Sequence, residues 1–171
     1  MTPPTLQEFV TAARAFCSLA EEAVDAPSDE TNLWRIRELL LRLMYHIPAV
    51  EAASCLGDGD AVGPDDVLYS QAIHKFSGFA FNIYRTVFDP HDLEDEEHVM
   101  GLLSDDLGDI YRDLFQGLHL ADQGHMESAC WHWSFSYRTH WARHLVGALA
   151  AIEIYRTDEF KEITGLLPPQ S

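Results

Sequence analysis

Apolar residues recur at helical spacing along most of the chain, and they predict about five helices. The first spans roughly Thr5 to Val24, where Leu6, Phe9, Val10, Ala13, Phe16, Cys17 and Ala20 share one face. Thr5 and Glu8 supply a capping box at its start, and Pro27-Ser28-Asp29 ends it. The second covers about Glu30 to Ala53 through Leu33, Ile36, Leu40, Leu43, Ile47 and Val50, with Pro48 as a kink or break. Gly57-Asp58-Gly59-Asp60-Ala61-Val62-Gly63 reads as a loop. Pro64 at a first helical position, followed by Asp65 and Asp66 near the positive end of the dipole, opens a third helix. It runs through Ile73, Phe76, Phe79, Ala80 and Ile83 to about Val87, and Asp89-Pro90 stops it.

A fourth helix is expected from about His98 to Ala121, closed by Gly124, and a long fifth one from Met126 to about Tyr155. The end of the chain, Pro168-Pro169-Gln170-Ser171, reads as unstructured beyond Leu167. No segment shows a strand period, an internal repeat or low complexity. The expected fold is therefore all-α: one antiparallel helical bundle occupying residues 1–171, with an ordered core of about 5–157.

The polar positions on the last two helices form a pattern of their own. At about 100° per residue, Leu103, Leu107, Ile110, Leu114 and Leu118 make the core stripe of the fourth helix. Asp106, Asp109 and Asp113 fall together on its flank, while Asp105 and Arg112 point away. On the fifth helix Trp141, Leu145, Ala148 and Ile152 make the core stripe, with Trp133, His140, His144, Gly147 and Ala151 on the adjacent flank. An antiparallel hairpin turning near Gln123 sets Asp106 opposite His140, Asp109 near Tyr137 and Asp113 near Trp133. Each carboxylate then meets a donor: an imidazole N–H, a phenol O–H or an indole N–H.

Composition narrows the function classes. Eleven Lys and Arg against 28 Asp and Glu give a formal charge of −17, which repels phosphate backbones and anionic lipid surfaces, so nucleic acid and membranes are not expected partners. Cys17, Cys55 and Cys130 are far apart, odd in number and set in apolar patterns, as buried free thiols of a reducing compartment are. With no basic-then-apolar leader and no membrane-length apolar run, the expected location is the cytoplasm.

The chemistry concentrates in Trp131-His132-Trp133-Ser134-Phe135-Ser136-Tyr137-Arg138-Thr139-His140-Trp141-Ala142-Arg143-His144. His140 and His144 stand four apart on one helical face, as two imidazoles must to share an ion, and Asp106 and Asp109 can complete a nitrogen and oxygen ligand set. The ordinary alternative is a hydrogen-bonded seam, and no Glu-x-x-His motif of the di-iron bundle type occurs. A nucleophile at Ser134, Ser136 or Thr139 lacks an oxyanion hole and faces competition from the preceding helical turn. Trp131 and Phe135 lie on the side opposite Trp133 and His140, so both sides of this helix are expected to be covered, by neighbouring helices or by a protein partner or second copy. Arg138 and Arg143 are expected to answer the acids of the fourth helix or Glu21 and Glu22, and the acidic run Asp92 to Glu97 reads as a solvated face.

The acidic stretch Asp105-Asp106-Leu107-Gly108-Asp109-Ile110-Tyr111-Arg112-Asp113-Leu114, together with the segment from Trp131 to His144, resembles a bacterial family of small all-helical proteins known as a domain of unknown function. Val87-Phe88-Asp89-Pro90 and the helix from Glu8-Phe9 to Glu22 extend the resemblance over most of the chain. Members of that family tend to have glycine where this chain has Ala142. The resemblance implies a helical fold, a bacterial origin and a cytoplasmic location, and it supplies no catalytic residues or cofactor.

Two functional expectations follow. The first is a non-enzymatic interaction or accessory module in which Asp106, Asp109, Asp113, Trp133, Tyr137, His140 and His144 form a structural seam. The second is a metal or small-ligand site in the same seam, with His140 and His144 as ligands and Asp106 or Asp109 as carboxylate ligand or base. A small-molecule pocket lined by Trp and Tyr would appear as an open cavity beside it.

Overall fold

The computed structural model describes residues 3–22, 30–54, 61–79, 81–87, 91–94 and 98–163. Expectations for Pro27 to Asp29, Cys55, most of the Gly57 to Gly63 loop, Asp89-Pro90, Asp95 to Glu97 and the C-terminal tail lie outside the described residues. The described chain is a helical bundle carrying one small hairpin: α1 (Leu6–Glu21), α2 (Glu30–Ala53), α3 (Asp66–Phe76), β1 (Ile83–Thr86), β2 (Val99–Leu102), α4 (Leu103–Asp122), α5 (Met126–Ser136), a π turn (Tyr137–Trp141) and α6 (Ala142–Ile163).

The expected core stripes are buried. Phe9, Phe16, Leu33, Ile36, Leu40 and Leu43 from α1 and α2 meet Leu107, Ile110, Leu114, Trp133 and Trp141 from the last helices. Phe9 touches the Trp133 ring edge-on at 5.1 Å. Helix α4 runs through the middle, packed against α1, α3, α5 and α6, so its flanks are lined by other elements rather than by solvent. Helix α2 continues through Pro48 without a break. At the α4–α5 corner, Gly124 takes φ +85°, and the His125 N–H reaches back to the Leu120 carbonyl at 3.0 Å, the αL helix ending that glycine permits.

Three expectations about the elements are corrected. The third helix begins at Asp66 with Asp65 as its cap, the Asp65 side chain accepting from the Leu68 N–H at 2.8 Å, so Pro64 precedes the cap. The same helix stops at Phe76 instead of Val87, because Ser77 and Gly78 close it and the β-branched and aromatic run Ile83-Tyr84-Arg85-Thr86 forms a strand. That strand pairs antiparallel with β2, setting Tyr84 opposite Gly101. Ile83, expected in the core, is consequently 60% exposed. Helix four starts at Leu103 rather than His98, since 99–102 belongs to β2.

Two four-residue strands are marginal alone, and here a tertiary contact holds them. The Leu103 N–H donates to the Asn82 carbonyl and the Ser104 N–H to the Asn82 side-chain oxygen, both at 2.8 Å. Leu102, at the cap position of α4, has no capping side chain of its own, so the residue before β1 satisfies donors that would otherwise be orphaned.

On α5 the covering is one-sided. Trp131 and Phe135 stack at 5.1 Å with their planes 6° apart, yet Phe135 is 53% exposed, so among the described residues the expectation that both sides of this helix are covered is not met. Cys17 and Cys130 are buried and take part in no disulfide, and burial pushes the Cys17 thiol well above its ordinary value. No helix among the described residues is long and apolar enough to cross a membrane.

Candidate metal centre

Asp106, Asp109 and Asp113 follow one another at intervals of three and four on α4 and therefore share one face of that helix. His140 lies in the π turn and His144 one turn beyond it, at the start of α6. The histidines face the aspartates, but in a different register from the one expected. His144 Nδ1 pairs with Asp106 Oδ1 at 2.8 Å and His140 Nδ1 with Asp113 Oδ2 at 2.6 Å.

One contribution is the π turn. It places an additional residue in one turn of an otherwise continuous helical run, so a wheel drawn at a constant angle loses phase after Ser136. That moves the register by one position only, whereas Asp106 meets a histidine four positions beyond the expected one, so the register of the α4–α5 hairpin itself also differs from one centred on Gln123. The other two expected pairings give way as well. Trp133 donates its indole N–H to the Leu114 carbonyl at 3.2 Å, its ring lying where any side chain on Gly117 would stand. Asp109 takes the Tyr69 hydroxyl at 2.9 Å and Arg112 at 2.8 Å in place of Tyr137. Arg138 pairs with Glu51 on α2 at 2.9 Å, not with α4, Glu21 or Glu22. Glu21 accepts from the Tyr111 hydroxyl, and Glu22 pairs with Lys75.

Among the residues placed here, Tyr69 and Tyr84 did not stand out in the sequence. Tyr84 donates its hydroxyl to Asp106 Oδ2, the oxygen that His144 leaves open. Its position requires two glycines: a Cβ on Gly101 would lie 2.5 Å from the ring, and one on Gly147 would lie 2.6 Å from the phenol oxygen. Burial and the Asp106 bond push the Tyr84 phenol well up, and the same causes at Asp109 push Tyr69 up to about 12, so both remain hydrogen-bond donors. Phe79-Phe81-Ile83 alternates at a period of two just before Tyr84, and that was the available sign of a strand.

The remaining ring nitrogens converge. His144 Nε2 stands 3.4 Å from Asp109 Oδ2 and His140 Nε2 stands 3.9 Å from the same oxygen. Ligand atoms of Asp109, His140 and His144 all lie within 4.8 Å of one another, and all three residues are half-buried. With the carboxylates accepting, each ring donates from Nδ1, and in the neutral ring Nε2 then carries a lone pair. Three lone pairs thus aim at one place, which is unfavourable unless a proton or a cation lies between them. Two atoms bonded to a four-coordinate ion at about 2.0–2.1 Å stand about 3.4 Å apart, so the His144–Asp109 spacing already suits such an ion and His140 would have to move inward to complete the set.

Electrostatics around the centre is acidic. The Asp106 bond, opposed by burial and reinforced by Asp109, Asp106 and Asp113, holds His144 above its ordinary pKa. Burial, followed by Asp109 and Asp106, raises Asp105. The centre opens onto a cleft of about 470 Å³ whose wall includes Tyr84, Met100, Asp105, Arg143 and Gly147. Asp106 and Asp113 lie behind the two rings and orient them, as carboxylates do for metal-ligating histidines.

Comparison with known proteins adds the following. A family model described as a domain of unknown function (DUF5063) matches residues 2–158. No curated protein matches the chain. The crystal structure of protein BF1032 from Bacteroides fragilis is similar at a TM-score of 0.68 and 18% identity, covering 97% of this chain and 94% of that one, a likeness that concerns the fold.

Proposed function

The chain belongs to the DUF5063 family, and we propose that it is a metal-binding protein that holds a divalent first-row transition ion on His140 Nε2, His144 Nε2 and an oxygen of Asp109. The observation that carries this reading is the convergence of those three acceptors within 4.8 Å of one another, Asp109 Oδ2 standing 3.4 Å from His144 and 3.9 Å from His140, with Asp113 and Asp106 each pinning the opposite ring nitrogen. Two imidazoles and one carboxylate suit zinc or iron rather than calcium or magnesium, which prefer all-oxygen sets. Of the residues expected to supply carboxylate ligands, Asp109 takes that role and Asp106 the orienting one.

Three protein ligands leave a coordination position facing the cleft, where the ion would polarise an oxygen-bearing ligand or acidify a bound water. The test is elemental analysis of purified protein, followed by zinc titration of the chelator-treated chain. Stoichiometric metal that disappears in His140→Ala and His144→Ala supports the reading. Metal-free protein that does not take up zinc, iron or manganese overturns it.

The structural-seam reading retains one observation in its favour. Asp106 raises the His144 pKa, and a His144 that carries the extra proton can bridge Asp106 and Asp109 as a cation itself, with no ion required. On that reading chelators leave thermal stability unchanged while His144→Ala lowers it.

A further inference from the structure

A second cavity, of about 280 Å³, lies against the other side of Tyr84, between β1 and α6. It shares Tyr84, Thr86 and Gly147 with the metal cleft, so the two spaces adjoin across the Tyr84 ring. Their chemistry differs sharply. The cleft presents Asp105, Asp106, Asp109 and the two histidines, whereas the second cavity is lined chiefly by Phe81, Ala150, Ala151, Ile154 and Tyr155. Phe81 and Tyr155 stack at 4.8 Å to form one wall, and Ile154 is 63% exposed at the rim. A groove of this kind gains by removing apolar surface from water, and here it ends beside the proposed metal centre.

Resting on the metal reading above, we infer that the ligand of this site is amphipathic: an oxygen-bearing head that meets the ion, continued by an aliphatic or aromatic limb that crosses Tyr84 into the groove. The occupant follows from continuity, since the groove begins at the same three residues that close one end of the cleft. Beyond the contact of Tyr84 with Gly147, small residues at Ala150 and Ala151 leave the width the limb needs on the α6 side, and the paired rings of Phe81 and Tyr155 bound it on the other.

The probes are acetohydroxamate and octanohydroxamate, which share a zinc-chelating head and differ in the length of the chain. Binding is measured calorimetrically on the zinc-loaded full chain. The longer probe is expected to bind about tenfold or more tightly, because its extra methylenes leave water. Ala150→Phe, which fills the groove, and Ile154→Asp, which charges its rim, are both at exposed positions and are expected to reduce that advantage below about threefold with zinc content unchanged. Equal affinity of the two probes, or an advantage that survives both variants, overturns the inference.

A failure of the metal reading is distinguishable, because the chain then takes up no zinc at all. In that case the groove is read with 1-anilinonaphthalene-8-sulfonate on chelator-treated protein. Dye fluorescence lost in both variants supports an apolar-limb groove, and dye fluorescence absent in the parent chain, or unchanged in the variants, overturns it. Light scattering covers a different occupant: a dimer that Ile154→Asp dissociates assigns the groove to a second copy and also overturns the inference.

Discussion

Tyr84 and Gly147 are fitted to each other: the phenol oxygen occupies the space in which a side chain on Gly147 would begin, 2.6 Å from an ideal Cβ. Any residue larger than glycine there must push the phenol off Asp106. Gly147→Ala is therefore expected to lower stability by about 1–3 kcal/mol, the usual range for overpacking. It is also expected to loosen zinc binding, and Tyr84→Phe combined with Gly147→Ala should then be less damaging than the sum of the two single changes. Thermal denaturation and calorimetric zinc titration of the three variants check this.

Asp113 touches the centre only through His140 Nδ1, at 2.6 Å. Asp113→Asn keeps the shape but weakens the charge that orients the ring. Zinc affinity is expected to fall about 10- to 100-fold, the usual effect of losing such an orienting partner, while His140→Ala removes a ligand outright and costs more. Competition with a fluorescent chelator reads both.

His132 supplies a pH signature. Burial holds its ring below the ordinary imidazole pKa of 6.5, against the opposing influence of Asp113, and its Nε2 is buried without a hydrogen-bond partner. A base whose folded pKa is depressed resists a proton that the unfolded chain accepts. Its contribution is thus neutral above the unfolded value and becomes destabilising as pH falls from 6.5 toward the lower folded value, levelling off beneath it. His132→Asn, which retains a donor for the Asp113 carbonyl, is expected to flatten the part of the stability profile in that interval. Urea titrations of both proteins at a series of pH values check the difference.

Lys75 is buried, and its ammonium donates to the Leu19 carbonyl at 2.6 Å and the Glu22 carbonyl at 3.4 Å, next to the Glu22 side chain at 3.5 Å. It thereby caps the carboxyl end of α1. Lys75→Met preserves the length of the side chain and removes the donor, and a loss of about 1–3 kcal/mol is expected from the carbonyls left unpaired. Chemical denaturation measures it.

The helices were legible in the sequence because each buries a stripe of long apolar side chains at a single period, as Leu103, Leu107, Ile110, Leu114 and Leu118 do. The aspartates and histidines of the cluster were legible too, because carboxylates and imidazoles at helical spacing must share a face, whereas Tyr69 and Tyr84 were not. The pairing of carboxylate with imidazole was not legible either. It depends on the register of the α4–α5 hairpin and on where a π turn falls, and nothing in Tyr137-Arg138-Thr139-His140-Trp141 distinguishes that turn from ordinary helix. The hairpin escaped notice for a different reason. Four-residue strands carry little pattern, and these are held by Asn82 and Tyr84 reaching residues on α4 that are distant along the chain.

Strand β2 passes into α4 without an intervening linker, and Asn82, immediately upstream of β1, is bonded to the first two amides of that helix. The hairpin is for this reason a strut rather than a flap. Prising it away from the bundle would unwind the amino end of α4 and carry Asp105 and Asp106 with it, so the wall that β2 gives the cleft and the helix that carries its carboxylates keep or lose their places together.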